Sequence, residues 1–221
     1  MSAAAQYATL PRFGKVAFST ANTNRDGTGT LGVAFTATPT KNGISRIDKI
    51  VLNATGTTTA GMLRLFITKG TPGEVISSIT FSGTTATVTT AQAHGRKTGD
   101  RVTMSGVLPD EYNVTDTALT ITSPTQFTYA MASTPQNNAL TSNLGGYSTT
   151  PTTPDTQLWR EISVSAITPS ATVQTFSSTA SSQSGGDTGY LPLALPAGYS
   201  LRVSTHNAEA FVALVQGGDT A

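Results

Sequence analysis

Short stretches of alternating apolar and polar residues recur along the chain, separated by clusters of Gly, Pro, Asn and Asp. In 62–67 the alternation is clean. Leu63, Leu65 and Ile67 fall on one face, and Met62, Arg64 and Phe66 on the other, because successive side chains of a strand point to opposite sides. The stretches 15–20, 31–37, 159–164, 172–177, 201–205 and 210–215 also read as strands, rich in β-branched and aromatic residues. The stretch 45–55 is less regular, with apolar Ile47, Ile50, Val51 and Leu52. Its Val, Ile and Thr content favours a strand, and its broken period fits either a bulge or burial on both sides at one end. Asn42-Gly43 signals a hairpin between 31–37 and 45–55. No stretch has a convincing helical period. About eight short strands with turn signals between them predict an all-β fold, a jelly-roll-like β-sandwich.

Residues 75–147 interrupt this series with strand patterns of their own, at 76–90, 101–106 and 117–129. If they are removed, the flanks 61–70 and 157–164 join into one plausible hairpin. The stretch therefore reads as a small β-barrel-like module inserted in one loop of the sandwich. The expected division is an N-terminal arm at 1–14, a discontinuous sandwich at 15–73 and 155–221, and the module at 74–154, ending in a Thr/Pro linker over 148–156. The Ser/Gly-rich stretch 177–189 is expected to be a surface loop. The module is expected to project from an exposed loop tip, where insertions are best tolerated.

Composition sharpens this picture. Charged residues make up 11% of the chain, against roughly 25% in ordinary globular proteins. Thr fills 42 of the 221 positions, a small β-branched residue suited to exposed strand faces. A surface of hydroxyls rather than charges suits either a plain soluble β protein or a component of an assembly. The net charge of +1, without a Lys/Arg run, offers no footprint for nucleic acid. There is no Cys, hence no disulfide. The first residues do not form a secretion signal, and no apolar run approaches the roughly 20 residues of a membrane span. The expectation is a chain made in the cytoplasm.

Candidate chemistry is sparse. His94 and His206 have no Cys, Asp or Glu at metal-ligand spacing. Asn24 and Asp26 lie in turn-forming sequence without the further acids and closing Glu of a calcium loop. Asp110-Glu111 is an adjacent acidic pair whose side chains would point apart on an extended chain, and it reads better as a loop. No Gly-x-Ser-x-Gly elbow or phosphate-binding Gly-rich loop occurs. Asn53-Ala-Thr and Asn113-Val-Thr match the glycosylation pattern by chance. No catalytic, cofactor-binding or metal-binding residue is assigned, and no enzymatic activity is expected. Trp159, Tyr112, Tyr129, Tyr147, Tyr190 and Tyr199 are the aromatics available for stacking on a sugar, and they do not cluster in sequence. Trp159, the only Trp, reads first as a core anchor or strand-end clamp.

The module carries Ala93-His-Gly-Arg-Lys-Thr-Gly-Asp-Arg-Val-Thr-Met-Ser-Gly, then Tyr112-Asn113 and Phe127-Thr-Tyr. This resembles the pattern A-H-G-x-x-T-G-D-x-V-x-x-S-G, Y-N, F-T-Y of small β modules in tailed-bacteriophage tail and capsid proteins, and is similar to the FCCH-type domain named from ubiquitin-activating enzymes. It departs from the usual form at Arg96-Lys97, where Leu-Ser is commoner. The motif's own chemistry is structural: Gly95 and Gly99 for turns, Asp100 for turn amides, Val102 and Phe127 for packing. The outer part resembles phage structural proteins at 21–30, 54–66 and 195–209. The resemblance implies a capsid decoration (cement) protein on the virion's capsid surface. It would bind the major capsid protein as a homotrimer, through the arm and long loops, without nucleic acid or membrane. The alternative is a tail or baseplate accessory, with host surface glycan as a possible ligand.

Overall fold

The structure, a computed structural model, describes residues 10–39, 43–136, 140–151, 155–181 and 192–220. Among these, sixteen strands follow in order. They are β1 (Leu10–Phe18), β2 (Gly32–Thr36), β3 (Ile44–Ala54), β4 (Gly61–Thr68), β5 (Thr71–Pro72), β6 (Ile76–Ser82), β7 (Thr85–Thr90) and β8 (Arg101–Val107). After a 3₁₀ turn at Asp110–Tyr112 come β9 (Val114–Ser123), β10 (Gln126–Ala130), β11 (Leu144–Thr150), β12 (Thr156–Val164), β13 (Ser177–Ser181), β14 (Leu193–Pro196), β15 (Ser200–Thr205) and β16 (Phe211–Thr220).

The strands from the two chain ends form two sheets, β1-β16-β3-β13 and β12-β4-β15-β2, with β14 also on β3. β13 pairs with Lys49–Asn53 and β14 with Ile44–Ile47, so they are two halves of one strand. Counted along the chain, one sheet then reads first-eighth-third-sixth and the other second-seventh-fourth-fifth. This is the jelly-roll order, two interlocked Greek keys. Every connection between consecutive sandwich strands switches sheets except the one from β4 to β12. Those two pair directly, from Gly61↔Val164 to Thr68↔Thr156, and the module is inserted at their open end. The inner faces supply Ile47, Ile50 and Leu52 from β3, Leu63 and Leu65 from β4, Leu201 and Val203 from β15, and Phe211, Ala213 and Val215 from β16. Gly14 marks where the sheets meet at their edges: a Cβ there would lie 2.0 Å from the Ala34 carbonyl oxygen.

The module is one antiparallel sheet in the order β5-β11-β8-β9-β10-β7-β6. It curls until the segment before β11 reaches β6, where Ile79 and Leu140 exchange two backbone hydrogen bonds of 3.0 and 2.7 Å. Inside lie Ile79, Val88, Val102, Met104, Leu119, Phe127 and Tyr147, a core that shares no residue with that of the sandwich.

Several expectations need correction. Leu10–Gly14 belong to β1, paired along its length with β16, so they are not part of an arm; residues 1–9 lie outside the described residues. The Asn42-Gly43 hairpin does not form, because β2 and β3 lie in different sheets; residues 40–42 are outside the described residues. Residues 172–176 are irregular, and the strand starts at Ser177, inside the stretch read as a loop; residues 182–191 lie outside the description. The linker reading fails at Ser148, Thr149 and Thr150, which are buried residues of β11; residues 152–154 are outside the described set. In each case pairing partners distant in sequence override the local signal. The irregularity in 45–55 is a bulge: Gln216 pairs with Lys49 and Gly217 with Ile47, leaving Asp48 as the extra residue.

Candidate functional site

Most of the candidate residues are structural. His94 is buried, with Nδ1 accepting from the Arg96 amide (3.1 Å) and Nε2 3.0 Å from the Ser123 carbonyl oxygen. That pattern calls for the neutral ring protonated at Nε2, pinning the motif loop onto the 123–126 turn. Asp100 accepts from the Lys97 amide (3.0 Å), and Gly95 and Gly99 have φ of +63° and +95°, as the motif's turns require. Asn113 donates to the Val107 carbonyl and accepts from its amide. Asp26 accepts from the Thr28 amide and hydroxyl (3.0 and 2.7 Å), which hold its carboxyl below the usual range, and Asn24 donates to the same hydroxyl. Asp110 and Glu111 start the 3₁₀ turn. His206 sits beside Asn207 at the end of β15, and its Nδ1 has no hydrogen-bond partner. Among the described residues, no cluster of His, Asp or Glu is arranged to hold a metal.

The two outer faces of the sandwich differ. On β4, Leu63 and Leu65 point into the core, yet the opposite face is buried too: Arg64 is 3% and Phe66 0% exposed. Two covers lie on this sheet. The first is the loop 19–31, tied down where Arg64 Nη1 donates to the Asn22 carbonyl (3.2 Å) and where Glu161 receives Arg64 (2.8 Å) and Arg25 (2.9 Å). The second is the module. Asp116 on β9 reaches across to Arg202 on β15 in a bidentate pair of 2.8 and 3.2 Å, with Arg101 3.6 Å from the same carboxylate. Asp116 holds a left-handed backbone, φ +53°, and its amide donates to the Thr103 hydroxyl (3.1 Å). Arg96 Nη2 also donates to the Pro72 carbonyl (3.1 Å), on the strand by which the chain enters the module. The motif's departure from its usual form thus coincides with a tie at the module's root. The module is docked onto the sheet, which corrects the expectation of a projecting loop-tip cassette.

The Arg25 hydrogen bond, opposed by burial and reinforced by Arg64, holds the Glu161 carboxyl below its ordinary value of 4.5. A depressed carboxylate stabilises the fold above its unfolded pKa and loses that contribution as pH falls through the folded one. Glu161→Gln is therefore expected to be less stable than the natural chain near neutral pH, with a smaller gap at an acidic pH below the ordinary carboxylate value of 4.5. Urea denaturation at both pH values measures it, and a pH-independent gap would contradict the linkage.

Among the described residues, the outer face of the β1-β16-β3-β13 sheet has no such cover. Rows of cross-strand neighbours run Lys15–Leu214–Val51–Thr179 and Ala17–Val212–Asn53–Ser177, with Phe13 beside Gln216. Phe13 is 77% and Leu214 41% exposed. Lys15 is the only charge in these two rows, and the exposed Lys49 lies beside Gln216 in the next.

The candidate aromatics separate. Tyr112, Tyr129 and Tyr147 are buried in the module core, where burial pushes each phenol above its ordinary value. Tyr190 lies outside the described residues. Trp159 and Tyr199, forty positions apart, meet in a pocket of about 280 Å³ with Ile67, Lys69, Asp155 and Gln157. Trp159 is the residue skipped by the register shift between Leu158 and Arg160, and Tyr199 follows Gly198, whose φ of +81° shapes the preceding turn. Neither the pocket nor the Asp116–Arg202 pair has a local sequence signal, since each depends on long-range pairing. No protein-family model matches the chain, and no match is found among curated proteins or solved structures.

Proposed function

We propose that this chain is a non-enzymatic structural protein of a tailed-phage virion, a capsid decoration protein that binds the major capsid protein and stabilises the head, with the homotrimer as its working form. The observation that carries the reading is the contrast between the two sheets. Among the described residues one is covered by loop and module, while the other presents Phe13, Leu214, Val51 and Val212 among Ser, Thr, Asn and Gln side chains, with Lys15 and Lys49 beside them. Apolar area removed from water on docking contributes about 25 cal/mol per Å², and the long stems of Lys15 and Lys49 let their ammonium groups stay in water at the rim of the contact. On a head, each copy would add interface across neighbouring capsid subunits, so internal pressure must break more contacts. The test is co-sedimentation of purified protein with heads lacking it. Phe13→Glu combined with Leu214→Glu is expected to weaken binding at least about tenfold while leaving the circular dichroism unchanged. Binding unaffected by the double change, or a virion copy number of only a handful, would remove the head reading. The second reading is a tail or baseplate accessory that recognises host glycans, and the Trp159–Tyr199 pocket favours it.

A further inference from the structure

We propose that the pocket formed by Trp159, Tyr199, Ile67, Lys69, Asp155 and Gln157 is a binding site for one neutral hexose ring of a glycan. The inference deepens the glycan-binding reading but stands whether the chain sits on head or tail, because none of these residues lies on the uncovered sheet face.

Three observations carry it. The first is the aromatic pair. A bulge re-aims the side chain at its extra residue, and Trp159 occupies that position on β12. Trp159 and Tyr199 pack against the sandwich core while remaining partly exposed in the pocket wall. An aromatic with one side anchored and the other wet suits a ligand that has an apolar face and a polar rim. A pyranose is such a ligand, with axial C–H groups on a face and hydroxyls around the edge.

The second is the polar rim. Lys69 offers donors only, Asp155 acceptors only, and Gln157 one group of each kind. Neighbouring sugar hydroxyls both donate and accept, so a mixed set matches them. The backbones of Lys69 and Asp155 are joined by an amide-to-carbonyl hydrogen bond of 2.8 Å, which fixes the spacing of the two side chains at their roots. Their charges cancel, which selects against phosphate and acidic sugars.

The third is size. The pocket volume of about 280 Å³ lies just below the roughly 300 Å³ at which drug-sized ligand sites begin, room for one ring and not for a chain threaded through. Affinity for a single sugar is therefore expected near the millimolar range, about 4 kcal/mol, and useful binding would come from many copies acting together.

Trp159 is the only Trp in the chain, so its fluorescence reports on the pocket directly. The intact protein is titrated with methyl glycosides of glucose, galactose and mannose and with N-acetylglucosamine. At least one is expected to give a saturable emission change with a dissociation constant of about 1 mM. Gln157→Ala and Lys69→Ala, at exposed positions, are expected to weaken that response at least about tenfold with unfolding curves unchanged. Trp159→Phe, read by a glycan array, keeps a ring in the wall if full truncation perturbs the fold. No response to any of these sugars, a response only to glucuronic acid titrated alongside them, or equal binding by the Gln157 and Lys69 variants would overturn the assignment. None of these results bears on head binding, which the Phe13/Leu214 variant tests separately.

Discussion

Asp116→Ala is expected to lower the unfolding free energy by about 3 kcal/mol or more, measured by urea denaturation. The reason lies mostly in what it leaves behind. The Arg202 side chain is 10% exposed and its other side-chain hydrogen bond is to the Ser200 hydroxyl, at 3.3 Å. Without Asp116 its guanidinium is a charge held in a largely dry seam, and breaking a buried pair from one side costs about 3–5 kcal/mol. Asp116 itself is 21% exposed, which places the effect toward the lower end. The backbone adds to it: at φ +53°, Ala pays the left-handed penalty of about 1 kcal/mol that Asp and Asn largely avoid. The three replacements should therefore rank. Asn keeps the backbone and a polar partner and costs least; Gly keeps the backbone only; Ala keeps neither. Asp116→Asn combined with Arg202→Met should recover part of the loss, since the unpaired cation is gone. A loss for Asp116→Ala no larger than the backbone penalty of about 1 kcal/mol would mean that water already fills the seam and the pair behaves as a surface contact.

What the sequence shows well is what repeats locally. The alternation in 62–67 named the inward face of β4, because a strand packed on a core needs its apolar residues two apart. Residues 75–147 were legible as a separate unit because their hydrophobic positions find partners within the stretch. The glycines and Asp100 of the motif were legible because turns need those residues whatever lies beyond them. Which strands pair was not legible at β2 and β3, where a sound hairpin signal lies across a connection between sheets. The burial of Arg64, Phe66 and Arg202 was hidden for the same reason. Alternation marks them as outward, and only the docking of a loop some forty residues upstream of Arg64, and of a module from the middle of the chain, brings them under cover. The Trp159–Tyr199 pocket needs a bulge, a turn and the β4–β15 pairing together, none of which 159 or 199 announces alone.

Excising residues 70–154 and joining Lys69 to Asp155 through Asn-Gly should leave a folded jelly roll that is measurably less stable than the full chain. The join is geometrically prepared. Thr68 already faces Thr156 in the β4–β12 ladder, their hydroxyls 2.9 Å apart, and the Lys69 amide donates to the Asp155 carbonyl at 2.8 Å. A two-residue Asn-Gly turn closes such a ladder with the twist the strands require. The sandwich keeps every residue of its own core, because the module's core is separate. What it loses is cover. Arg202 becomes free to hydrate, so the unpaired-charge penalty of Asp116→Ala does not recur. Phe66, fully buried in the intact protein, lies between Arg202 and Leu158 on the face from which the module has been lifted. Returning a Phe to water costs about 2 kcal/mol, so that is the expected loss if the module is its main cover. Phe66→Thr then separates the causes: it should destabilise the full chain by about 2 kcal/mol and cost much less in the excised one. Trp159 emission follows unfolding of the sandwich in both forms, since the Trp lies outside the excised segment. Absence of a cooperative transition in the excised chain would show that the module completes the sandwich instead of resting on it.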